Sequence, residues 1–141
     1  MYVLFHGSKK NVGDYLIRDR AYELINNYAP SHSISQLEMV GNSLKEEHRD
    51  LIKESSAVII AGGPAYKENF FPNIYPSLED ILDMDIPIIP LGVGWNGKYL
   101  ERFSFTDDSK RMLKKIHSNI RFSGVRDIIT KKLIKNIIFI K

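Results

Sequence analysis

The chain has 141 residues, 43% of them hydrophobic and 26% charged, with a net charge of +3 and no cysteine. One ordinary domain of this length buries roughly two-thirds of its unfolded surface and carries its own core. The composition excludes disulfides, thiolate metal sites and a cysteine nucleophile. No apolar run is long enough to span a bilayer, and no basic-then-apolar leader opens the chain, so the expected location is the cytoplasm.

The elements alternate along the chain. An apolar run at Tyr2–His6 reads as a buried strand and breaks at Gly7. The loop "GSKKNVGD" follows, then a helix whose Ile17, Ala21, Leu24, Ile25 and Tyr28 recur at helical spacing and share one face. Residues 33–39 alternate apolar and polar as a weaker strand. Leu44, His48, Leu51 and Ile52 mark a second helix. Ala57–Ala61 and Ile86–Val93 are unbroken apolar runs, read as central strands beside the first. A third helix runs from about Thr106 to His117, with Thr106 as N-cap and Asp107 and Asp108 in its first turn. A further weak strand is expected at 120–125, a fourth helix at about 127–135, and a terminal strand at 137–140. Strands alternating with helices predict an α/β fold, a Rossmann-like parallel sheet with helices on both faces.

In such sheets ligands bind beyond the carboxyl ends of the strands. Four segments lie there. In the first, Gly7 and Gly13 have neither dinucleotide nor P-loop spacing, and Asp14 stands where a P-loop places lysine, which excludes a triphosphate cradle. Asp14 either caps its own helix or offers an acceptor to a hydroxyl. Gly62-Gly63 permits close approach of a backbone or ligand, or simply a turn. Trp95, the only tryptophan, stands with Asn96 between Gly92, Gly94 and Gly97, as a sugar-stacking surface or a packing plug. Arg126 opens the last helix, as an anion fork or as half of an Arg126–Asp127 turn pair. His6 ends the first strand, a position more typical of a packed core histidine.

Charge is lopsided. Residues 110–141 hold ten Lys or Arg and one acid, Asp127, whereas the rest is net acidic. The plain reading is a set of solvated helix faces; the sharper one is an anionic partner. No aromatic stripe interleaves the cations, so no nucleic acid is expected.

Together, Asn11-Val12-Gly13-Asp14, the Ala57–Gly63 run, the Pro87–Gly94 run and Val125-Arg126-Asp127 resemble the polysaccharide pyruvyl transferases, in order and over nearly the whole chain. One departure is Pro64, where the family often has a third glycine. The resemblance implies one half of a two-domain, glycosyltransferase-B-like fold, with residues 1–141 as its N-terminal Rossmann-like domain. It implies transfer of pyruvyl from phosphoenolpyruvate to two hydroxyls of a cell-surface polysaccharide sugar, as a ketal, with no metal and no cofactor beyond that co-substrate. Asp14 and Arg126 are then the catalytic candidates. Asn11, Gly13, Gly62, Gly63, Tyr66, Gly92, Gly94, Trp95 and Asn96 are the substrate-binding ones. The family's second half is expected to supply much of the cationic grip and an acid–base histidine, so this chain alone is expected to be inactive, and to self-associate or to need a missing C-terminal domain. Two other classes fit the same residues: a non-catalytic sugar- or anion-binding module, and the acceptor-side half of a sugar-nucleotide glycosyltransferase.

Overall fold

The computed structural model describes residues 1–7, 11–97 and 104–138. In chain order the elements are β1 (Tyr2–His6), α1 (Val12–Tyr28), β2 (Ile34–Glu38), α2 (Glu46–Lys53), β3 (Ala57–Tyr66), α3 (Phe70–Asn73), α4 (Leu78–Asp83), β4 (Ile88–Trp95), α5 (Asp107–Ser118) and α6 (Ile128–Ile138). The sheet is all parallel, in the order β2-β1-β3-β4. Beyond β4, Val125 adds a fifth position through a parallel bridge to Val93, held by Gly92 and Val93 N–H groups on the Gly124 carbonyl at 2.8 and 3.2 Å. The α/β, Rossmann-like expectation therefore holds, and β1, β3 and β4 are neighbours.

Alternation along the strands splits the core in two. Val3, Phe5, Val58, Ile60 and Ile88 point to one face and pack with Ile52, Leu78, Ile81, Met112, Leu113 and Ile116, contributed by α2, α4 and α5. Leu4, Ile59 and Ala61 point to the other, where Ala21 and Ile25 of α1 meet them. Helices cover both faces, but unequally. Among the described residues, the smaller cluster contains only α1 and strand side chains.

Several expectations need correction. Tyr28 and Leu24 were expected on the inner face of α1, yet Tyr28 is 86% exposed and Leu24 is also exposed. The helix turns Ala21 and Ile25 inward instead. The expected terminal strand is helical at Ile137 and Ile138, which continue α6 and pack on the larger cluster; residues 139 and 140 lie outside the described residues. Of the strand expected at 120–125, only the Val125 bridge forms. Among the described residues no helix is long and apolar enough to cross a membrane.

Candidate functional site

The start of α1 is held by its own side chains. Asn11 has extended backbone and its amide oxygen accepts from Gly13 N at 2.9 Å, so Asn11, not Asp14, caps α1. That leaves the Asp14 carboxylate out of the capping role. It lies directly on Gly7: a Cβ at that position would stand 2.7 Å from Asp14 Cγ and Oδ2. His6 is buried, and its Nδ1 donates to the Gly7 carbonyl at 2.8 Å, the packed role expected of it.

β3 supplies the facing wall. Gly62 and Gly63 have φ of +33° and +75°, and a Cβ on Gly62 would meet Ile17 Cγ2 at 2.7 Å. A side chain there is excluded by both conformation and space. The bare backbone forms a ridge, with a recess on each side. On one side a cleft of 370 Å³ brings together Gly7, Asp14, Lys67, Asn73, Tyr75 and Asn96. On the other, a groove of 400 Å³ runs between Leu16, Arg20, Leu24, Leu91 and Arg126. Gly62, Gly63 and Ile17 line both. Asp14 and Arg126 therefore flank the ridge from opposite sides and do not share a recess.

Tyr75 is the residue the sequence did not point to. It is 3% exposed, with its ring in the larger core, yet it lines the cleft. Burial, and then the negative charge of Asp14, push its phenol above the ordinary tyrosine value. It stays a neutral donor. Neither its hydroxyl nor the Asp14 carboxylate has a hydrogen-bond partner among the described residues. The cleft thus pairs a donor with an acceptor, with Lys67 and two side-chain amides around them. A hydroxyl group, which both donates and accepts, complements that pair; an anion would meet the Asp14 charge.

Other candidates have structural duties. Tyr66 was read as a sugar platform, but it is fully buried, its ring tilted on Phe70 at 4.8 Å and edge-on to Phe105 at 6.1 Å. It cannot present a face to a sugar. Trp95 stands edge-to-face on Phe105 at 5.1 Å and packs against the larger cluster, which favours the plug over the open platform. Its main-chain N–H donates to Thr130 Oγ1 at 2.7 Å and more weakly to Asp127 Oδ2 at 3.4 Å. Asp127 caps α6, accepting from Thr130 N at 2.7 Å and Thr130 Oγ1 at 2.8 Å. Burial pushes the Asp127 carboxyl up, but those hydrogen bonds and the nearby Arg126 charge outweigh it and hold it below the usual carboxylate value. Gly94 is bare because the Arg126 side chain and Asp127 Oδ2 occupy the space a Cβ would need. Gly92, at φ +71°, accompanies the ridge. Asn96, anchored by its N–H on the Tyr66 carbonyl, turns into the cleft just beyond β4.

The four loop segments thus meet at one edge of the sheet, in the order in which the strands deliver them. The family model for polysaccharide pyruvyl transferases matches residues 11–140. The chain belongs to that family. The match takes in the α1 cap, the Gly62–Gly63 ridge, the β4 end and the Arg126–Asp127 turn together. Neither the curated proteins nor the solved structures yielded a match. For this pyruvyl transferase family chain, the roles of individual residues therefore rest on the geometry above.

Proposed function

We propose that this chain forms the saccharide-side wall of a pyruvyl transferase that takes its pyruvyl group from phosphoenolpyruvate. The observation that carries the reading is the Asp14–Tyr75 pair, an acceptor and a buried donor that line one cleft beyond β1 and β3 and have no hydrogen-bond partner among the described residues. Ketal formation needs two sugar hydroxyls. Protonation of the enol methylene makes C2 of phosphoenolpyruvate electrophilic. One hydroxyl adds there and releases its proton to a base; the second forms the other C–O bond as the C–O bond to phosphate breaks, and its proton leaves with the phosphate. Asp14 is placed to take a hydroxyl proton. Tyr75 holds the same oxygen by donating to it. Arg126, across the ridge, supplies positive charge for a carboxylate or phosphate.

In this reading residues 1–141 act as the N-terminal half of a two-domain enzyme, working in the cytoplasm, and the facing domain provides the acid and the rest of the cationic grip. Positioning two reactants supplies a large part of such a rate enhancement, and it needs both walls. The chain alone is then inactive but still binds saccharide. Saturation-transfer difference NMR against a panel of free hexoses and N-acetylhexosamines tests this. The expected result is a signal from sugars that Asp14→Asn and Tyr75→Phe each weaken, with none from ATP. ATP binding, or sugar signals indifferent to both substitutions, would refute it. Phosphate release from phosphoenolpyruvate by the chain alone, dependent on added glycan, would refute the half-site part.

A further inference from the structure

The cations of the C-terminal third are not spread evenly. On α6, Ile128, Lys131, Lys132 and Lys135 recur at three- and four-residue spacing, so they form one stripe, and all four are exposed. Lys131 and Lys135 line the same 670 Å³ cleft as Arg121 and Phe122, which places the loop before Val125 alongside that stripe. Phe122 is 84% exposed and Ile128 61%. Arg121, Lys131, Lys132 and Lys135 have no ion-pair partner among the described residues. The one acid of residues 110–141, Asp127, is already engaged by Thr130 and Trp95.

Helix α5 neutralises three of its four Lys and Arg, Lys110 with Asp107, Arg111 with Asp108 and Lys115 with Glu79. This face does not. It combines four unneutralised cations with a protruding aromatic ring and an exposed isoleucine. We propose that the α6 face with the 121–122 loop is a peripheral docking surface for an anionic lipid bilayer. The lysines and arginine sit at the headgroup level, and Phe122 and Ile128 enter the boundary with the acyl chains. Charge complementarity selects an anionic partner, and the apolar side chains among the cations favour a lipid surface over a nucleic acid, since a lone Phe122 gives no row of rings on which successive bases stack. The surface is separate from the Asp14–Tyr75 cleft and does not depend on the reading of that cleft.

The test is co-sedimentation of the chain with large unilamellar vesicles, of phosphatidylcholine alone and of phosphatidylcholine with one-third phosphatidylglycerol. Binding is expected to the anionic vesicles only. It should fade as salt rises and the screening length shrinks from ~30 Å at 0.01 M to ~3 Å at 1 M. Lys131→Gln with Lys135→Gln should weaken partitioning roughly thirtyfold, about fivefold for each cation near the surface. Phe122→Ser should weaken it severalfold at constant charge. All three positions are exposed, so melting temperature should not move and a folding defect is not confounded with lost binding. Equal binding to both vesicle types, wild-type partitioning by the variants, preferential binding of a duplex oligonucleotide in competition with the vesicles, or burial of the patch in a homodimer by light scattering with cross-linking at Lys131 would each overturn the proposal.

Discussion

Thr130→Val asks whether a single buried hydroxyl holds the end of β4 against the start of α6. Thr130 is fully buried, and its Oγ1 accepts from Trp95 N at 2.7 Å while donating to Asp127 Oδ2 at 2.8 Å. Valine keeps the shape and removes both bonds. A neutral hydrogen bond contributes about 1 kcal/mol net, and one to a charged group about 1.5–3 kcal/mol. The 3.4 Å contact from Trp95 N to Asp127 Oδ2 recovers part of the first. The expected loss is about 3 kcal/mol, or roughly 6–12 °C in Tm. Calorimetry and urea titration measure it, with Thr130→Ser as the control that keeps the hydroxyl. Acid titration gives a second reading. Asp127 is depressed in the folded state, so it contributes stability that is present above the unfolded carboxylate value of about 3.9 and is lost as pH falls through the lower folded value. Removing the Thr130 side-chain bond, one of those that depress it, should make that acid-side loss shallower. A loss under about 1 kcal/mol, or Thr130→Ser as damaging as Thr130→Val, would refute the clasp.

Four further outcomes follow from the same geometry. Asn11→Ala should cost about 1 kcal/mol and Asp14→Asn a few tenths, since Asn11 and not Asp14 caps α1, as thermal melts would show. Tyr75→Phe should change stability by less than about 0.5 kcal/mol in urea titration, because the hydroxyl it removes has no partner among the described residues. Gly62→Ala should destabilise by about 1–3 kcal/mol in the same assay, through its positive φ and the collision with Ile17. Burial holds His117 below the ordinary histidine value, so the unfolded chain takes up its proton first; stability should fall as pH drops below about 6.5, and His117→Gln should flatten that slope in pH-dependent melts.

The strands were legible because β1, β3 and β4 are buried on both faces and therefore read as unbroken apolar runs. The α5 boundary was legible because Thr106 does cap it, accepting from Ser109 N at 3.3 Å. The end of α6 was not. Short runs rich in isoleucine fit a strand as well as a helix, and packing of Ile137 and Ile138 on the core decided for the helix. α3 and α4 escaped because neither is long enough to show a period. On the candidate site, the loops were legible from their glycines and their places after strands. Tyr75 and Lys67 were not, because they belong to no spaced motif. They reach Asp14 only through the pairing of β1 with β3, and β3 runs on to Tyr66, five residues beyond the strand end its apolar run marks.

The uneven cover of the sheet bears on how the cleft behaves in time. α1 is the only helix in the smaller cluster among the described residues, and it leaves Val12 73% and Leu16 67% exposed. Elements with few buried apolar contacts open at lower free energy than those in a large core. Amide hydrogens of α1 should then exchange well before those of α5, which buries Met112, Leu113 and Ile116 completely. Asn11, Gly13 and Asp14 ride on α1, so the wall of the cleft that meets a hydroxyl is carried by an element that opens before α5. A saccharide seated against Asp14 and Tyr75 would clamp α1 to β3 and slow that opening by mass action. Occupancy of the cleft should therefore be readable as protection spreading along seventeen residues of helix, far beyond the side chains the sugar touches.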